Sequence, residues 1–498
     1  MGRFQADLLV NNEGKARAYP NQTQSPMFDF RKLATNFSFL VLGEAVSKIF
    51  AFAAFVFLAR TFGPREFGHL EFVLAVIIFA TLLTDFGANP LGSREVAKAR
   101  EKLNKIITSI VSMRIILFIS TYCLLFVFAL IFLRDKPQLK NLLLLYGLSL
   151  FFVPLFLQFV FQGLEKMKWV AIASIIRQVV FALGVFIFVT VIRKIWVVAF
   201  VEIAAVGSLA LYCVYMLIFH IKETDFKIDT TTLWSTFKEA LPIGLSDITW
   251  AFMWYFATIL LGLLTNGNEV GWFSAAHRPV MTLHTFVWLY FCNLLPTITR
   301  SENEAKDVLD NLMRYSMTIT AWGTIFLGTV VLIMAEPLVV LVFGDRFRES
   351  AAVMRILIWM IPLSSLGSHY RYTLIGYGYQ RFELVAHVIA ALVSVLMGFI
   401  LIPTFAQIGA ALSLITAVTV YCFLVYFFVK VKIRHIPFLP YSIKPILASV
   451  CMVGVFVIIN NYKLWLAASA SIACYIFSLI LLQSKVRKIV AMPLLRKG

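Results

Sequence analysis

Lys48, Arg114 and Arg177 each stand well inside a long apolar stretch, where hydrocarbon is the expected surrounding. A Lys or Arg at the bilayer centre costs roughly 2.5–3.5 kcal/mol on insertion scales, so three facing lipid would cost about 8–10 kcal/mol, comparable with a whole domain's stability. They are expected to face water, a partner or a ligand instead. Ammonium and guanidinium groups in a low-dielectric cavity hold phosphate oxygens strongly, so the chemistry they suggest is non-covalent capture of an anion. Each also has a plainer reading. Lys48 lies one turn after Glu44 on the same helical face, where an ion pair would neutralise it. Arg114 and Arg177 could snorkel to headgroups, as is expected of Arg355 and Arg371 near the ends of their helix.

The acids are fewer. Glu44 is the deepest, with Asp85, Glu202 and Asp247 nearer helix ends. A carboxyl in a partly dry cavity gains proton affinity, which makes Glu44, Asp247 and Asp85 candidates for coupling to a proton or sodium; a structural hydrogen bond is the alternative for each. Six cysteines fall inside apolar runs without CxxC spacing and are expected to pack. The histidines lack ligand spacing, and hydrogen bonding is expected of His284, His369 and His387, so neither a metal nor a cofactor is anticipated. No paired carboxylates or nucleophile and base mark the short loops, so enzymatic ligation or polymerisation of a substrate is the weaker reading.

The elements that must position these residues are helices. With 60% hydrophobic residues and a mean hydropathy of +0.86, a water-soluble fold is excluded. Fourteen apolar runs of bilayer-spanning length lie between Phe37 and Leu482. Placing the N-terminus in the cytoplasm puts 28 Lys and Arg on that side against 11 on the other, so both termini are expected to be cytoplasmic. Residues 1–36 are polar and read as a cytoplasmic leader, the first helix serving as its own insertion signal. The net charge of +18 is spread over many loops, which argues against nucleic acid and for anionic membrane lipids as the surface partner.

The chain is expected to be an all-α polytopic membrane protein of about 14 transmembrane helices. It divides into a first lobe (37–221, helices one to six), an interfacial linker (222–242), a second lobe (243–430, helices seven to twelve), and residues 431–498 with helices thirteen and fourteen and a cytoplasmic tail. The lobes echo each other as parallel repeats. Gly63–Gly68 and Asn266–Gly271 both end in Glu-x-Gly, Gly163 matches Gly376, and each fourth helix has an internal proline, Pro154 and Pro362. Transporters built from such repeats hold substrate between the lobes and rock one against the other.

An ordered series of motifs carries a family resemblance. Arg60-Thr61-Phe62-Gly63-Pro64-Arg65-Glu66-Phe67-Gly68 is followed by Asp85-Phe86-Gly87 and Gly92-Ser93-Arg94-Glu95, then by Leu241-Pro242-Ile243-Gly244 and Val270 to Arg278. Phe343-Gly344-Asp345-Arg346-Phe347, Leu401-Ile402-Pro403 and Gly409-Ala410-Ala411 complete it. From about Asn36 to Tyr426 the chain resembles polysaccharide and oligosaccharide flippases of the multidrug/oligosaccharidyl-lipid/polysaccharide exporter superfamily. The resemblance implies a V-shaped pair of six-helix bundles in the cytoplasmic membrane. Such proteins move polyprenyl-diphosphate-linked oligosaccharide to the outer leaflet for surface polysaccharide synthesis, beside glycan synthesis enzymes. Members commonly carry an acid in helix seven near Tyr255–Thr258, where this chain is neutral. On the residues alone, Lys48, Arg114 and Arg177 suit an anionic lipid-linked glycan, whereas a cation-coupled multidrug exporter on the same fold would want acids in their place.

Overall fold

A computed structural model describes residues 30–221, 233–300, 306–459 and 464–482, with side chains from Val46 onward except at 306–308 and 464. The Glu44 side chain, residues 1–29 of the leader and most of the expected linker therefore lie outside what it describes. The described residues form helices and no strand. That follows from the medium, since a lipid-facing backbone must satisfy its own hydrogen bonds. The bilayer-crossing class expected from the sequence holds: eleven described helices are long and apolar enough to span.

The first lobe comprises α1 (Phe30–Asp85), α2 (Ala88–Lys98), α3 (Leu103–Phe132), α4 (Pro137–Gly147), α5 (Gln158–Gly163), α6 (Met167–Gly184), α7 (Thr190–Ile192) and α8 (Trp196–Met216). The second comprises α9 (Leu233–Leu264), α10 (Gly267–Arg300), α11 (Lys306–Phe343), α12 (Ser350–Leu357), α13 (Met360–Gly376) and α14 (Gln380–Lys432). α15 (Leu439–Ile459) and α16 (Leu464–Leu482) pack against α11, where Trp322, Met452 and Tyr475 form a separate apolar cluster.

Two of these helices are hairpins. α1 breaks at Gly63, whose φ of 75° favours glycine, and Pro64 restarts the helix with the φ that proline already holds. On a straight rod Ala51 and Ile78 would be about 40 Å apart, yet they line one cavity, so the chain folds back there. α14 breaks at Ala406 (φ 46°), and Gly409 returns against the Leu401 carbonyl. The two prolines that mark the repeat both lie at interruptions of regular α-helix. Pro154 sits in a 3-10 segment, Leu148–Leu155, and Pro362 lies in the first turn of α13, just past the break from α12. Residues 233–242 of the expected linker, Trp234 and Phe237 among them, are continuous with the second lobe as the opening turns of α9.

Backbone outliers repeat between the lobes. Glu165 and Gly378 both take positive φ, as do Arg193 and Ala406, and each pair is 213 residues apart, the spacing of Gly163 and Gly376. The repeats also touch. A Cβ on Gly68 would collide with the Gly267 carbonyl, and one on Gly271 with the Pro64 carbonyl; a shift of 203 residues turns 64 into 267 and 68 into 271. The two turns thus meet reciprocally, as if across a two-fold axis. Around this seam Phe67 meets Phe347 edge-on at 5.8 Å, and Arg60 donates to the Leu341 and Val342 carbonyls at the end of α11. Lys136 donates to the Gly262 and Thr265 carbonyls at 3.1 and 3.3 Å, and burial lowers the pKa of its ammonium. First-lobe cations therefore cap the negative ends of two second-lobe helices.

At the opposite end the first lobe meets the opening turns of α9. Phe86 stacks on Phe237, Gly87 abuts Gly244, and Arg94 pairs with Glu239 at 3.2 Å. Gly271→Val is expected to hold the Gly63 ends apart, since overpacking a close contact costs about 1–3 kcal/mol. Spin labels at the exposed positions Asp135 and Glu349 should move several ångströms apart relative to wild type. An unchanged distance would show that the seam does not hold the lobes together.

Candidate functional site

Between the seam and the Phe86 end lies a cavity of about 470 Å³ walled by both arms of α1 and by α9, α10 and α13. A second, of about 460 Å³, lies within the first lobe, walled by α1, α6 and α8 among others. Lys48, Ala51, Leu74 and Ile78 belong to both walls, so the two adjoin across Lys48.

Lys48 lines both cavities. Arg177 lines the first-lobe cavity and donates to Glu202 at 2.5 Å. Arg114 departs from expectation: it lines neither cavity. Its side chain is 1% exposed, pairs with Asp85, donates to the Phe156 carbonyl at 2.9 Å and lies over the Phe159 ring. It is neither snorkelling nor open to a ligand, because a guanidinium taken out of water needs a carboxylate and a carbonyl to replace the lost hydration. Asp85 is committed by the same pair and also accepts from the Asn89 backbone N–H at the start of α2. Of the candidate coupling acids, Asp247 lines the inter-lobe cavity, Asp85 is bound to Arg114, and the Glu44 side chain lies outside the described residues.

Sequence reasoning missed two cations. Arg278 of α10 lies over the Phe55 ring at 3.3 Å from the centroid and pairs with Glu71, joining both arms of α1 to the second lobe. The signal was available: Asn266-Gly267 reads as a turn and Glu269 as a first-turn acid, so α10 starts at Gly267 and carries Arg278 about 16 Å along its axis. Arg371 does not snorkel; it lines the inter-lobe cavity with its Nε 2.9 Å from Glu383. Arg355 is exposed in the last turn of α12.

The inter-lobe cavity therefore gathers Lys48, Arg278 and Arg371 from three helices, with Glu71 and Asp247, and with Phe55, Trp250 and Tyr255 among its aromatic walls. His284 also lines it, 4.8 Å from the Trp254 ring, while His369 bridges the Ser316 hydroxyl and the Ser365 carbonyl as a buried structural histidine. Among the described residues no His, Cys, Asp and Glu cluster could hold a metal ion. The arrangement sets cationic side chains from both lobes around one cavity.

Known proteins agree with this architecture. A protein named "Putative O-antigen transporter" from Escherichia coli strain K12 is 24% identical over 411 residues, covering 80% of this chain and 97% of its own. One of the same name from Shigella dysenteriae is 22% identical, covering 68% of this chain and 86% of its own. Among solved structures, the lipid II flippase MurJ in an inward closed conformation superposes with a TM-score of 0.74 at 15% identity, covering 91% of this chain and 99% of its own. An inward-facing multidrug resistance MATE transporter of the MOP superfamily gives 0.66 at 14% identity over 78% and 94% of the two chains. The description "Polysaccharide biosynthesis protein" matches residues 33–302, more than half of the 498, and the chain belongs to that family.

Proposed function

We propose that this protein is a flippase that carries a polyprenyl-diphosphate-linked oligosaccharide from the cytoplasmic to the outer leaflet of the inner membrane, for surface polysaccharide synthesis. The observation that carries this reading is the cavity between the lobes, to which Lys48, Arg278 and Arg371 bring cations from both bodies. A diphosphate can be held there by charge-assisted hydrogen bonds, with sugars against the aromatic walls. The names of the O-antigen transporters and of MurJ support the same substrate class.

In this reading the Gly63 end faces outward and both termini are cytoplasmic. The seam closes the outer side, and the cavity receives its headgroup from the cytoplasm. Residues 37–221 and 243–430 are the rocking bodies, while 431–498 flank the second. Nothing covalent is needed. Binding lowers the cost of carrying a hydrated, charged group across hydrocarbon, and the change of conformation releases it.

The test is reconstitution with a fluorescently tagged prenyl-diphosphate glycan in the inner leaflet of sealed vesicles. Protein-containing vesicles should expose the tag to an impermeant quencher over time. A rate equal to that of protein-free vesicles would refute the reading, and efflux of cationic dyes in its place would mark a multidrug exporter.

A further inference from the structure

The second lobe holds a charge cluster of its own. Glu383, in the first turn of α14, has Oε1 2.9 Å from Arg371 Nε and 3.0 Å from His387 Nδ1, with the Tyr421 hydroxyl at 3.5 Å. The Glu383 and His387 side chains are only 11% and 8% exposed. Arg371 is the member of this cluster that also reaches the inter-lobe cavity. Its hold on Glu383 is close but poorly aligned: Nε is a buried donor without a well-directed acceptor. The other titratable groups facing the cluster are Tyr372 of α13, Tyr421 and Cys422 of α14, and Cys292 and His284 of α10.

We propose that capture of an anion in the cavity is linked to uptake of a proton at the Glu383–His387 pair. The inference rests on the flippase reading and adds a ligand to it. An anion in the cavity competes with Glu383 for the Arg371 guanidinium. When a phosphate draws Arg371 into the cavity, Glu383 is left beside His387 in a site too dry to keep an uncompensated carboxylate. A proton from solvent restores neutrality, either on the carboxyl or as an imidazolium–carboxylate pair four residues apart on α14. The charge balance closes: Arg371 passes from Glu383 to the phosphate, and a proton takes its place. When the anion leaves, Arg371 returns to Glu383 and the proton is expelled. The headgroup therefore travels with a proton, and a pH difference across the membrane biases its direction.

The experiment uses the full chain in lipid nanodiscs, in weakly buffered solution with a pH indicator. The probe is a short-chain prenyl diphosphoryl monosaccharide, a diphosphate diester with no titrating group near neutrality. Wild type should take up about one proton per bound probe, so affinity falls by up to about tenfold per unit rise in pH. Glu383→Gln should bind at least as tightly, with no uptake and a flat pH profile; Arg371→Gln should bind more weakly, also without uptake. Binding to wild type without proton uptake overturns this inference and leaves the flippase reading standing, whereas no binding at all overturns both. Uptake that persists in Glu383→Gln places the proton elsewhere and refutes the assignment. Should that variant fail to fold, the wild-type stoichiometry and Arg371→Gln decide the matter.

Discussion

Vesicles carrying Lys48→Gln and Arg278→Gln, together with Glu71→Gln so that the carboxylate paired with Arg278 is not orphaned, are expected to translocate a prenyl-diphosphate glycan at least about 100-fold more slowly than wild type. A hydrogen bond to a charged group contributes about 1.5–3 kcal/mol, so losing two removes about 3–6 kcal/mol, and every 1.4 kcal/mol or so is a factor of ten. Lys48 stands on the wall common to both chambers, and Arg278 reaches the cavity from the opposite lobe, so an anion held by both is held by both moving bodies. The measurement is the initial rate of tag exposure at matched protein density, with Glu71→Gln alone as the control for the loss of that ion pair. A multiple variant that transports at the wild-type rate would remove the cavity from the mechanism.

Arg114→Met should act on stability rather than on transport. It leaves Asp85 without its counter-ion and the Phe156 carbonyl without its donor, and breaking a buried pair from one side costs about 3–5 kcal/mol. Combining it with Asp85→Leu should recover much of the loss, because a buried ion pair exchanged for packed apolar groups is often nearly neutral. Unfolding in mixed detergent reads both effects, and the surviving folded fraction of the single variant should transport normally. If Arg114→Met were as stable as wild type yet inactive, Arg114 would return to the list of substrate ligands.

Much of this architecture is legible in the residues, because hydrocarbon imposes simple demands on length and polarity. The turns at Gly63-Pro64 and between Pro403 and Gly409 were visible as breaks in apolar runs, and the repeat was visible in the Glu-x-Gly turns. What sequence supplied for the cations was depth, and depth does not fix azimuth. Lys48, Arg114 and Arg177 lie at similar depths, yet one faces both cavities, one is sealed against Asp85 and one is tied to Glu202. The pairing acids sit on other helices, 29 and 25 residues from their arginines, so no local pattern announces them. Arg278 lies just before the apolar run that begins at Val280 and so reads as part of a loop, whereas α10 begins thirteen residues before that run. Arg371 was judged by nearness to a helix end, which says nothing about the cavity beside that end.

The reciprocal meeting of Gly68 with Gly267 and of Gly271 with Pro64 has an implication for how such a chain arises. A patch that contacts its own counterpart across a dyad is isologous, the kind of surface by which identical subunits form closed dimers. Either half taken alone already carries both sides of the bond. A shorter ancestor could therefore have assembled as a homodimer before its gene was duplicated and fused, and the junction would then be older than the polypeptide that now contains it.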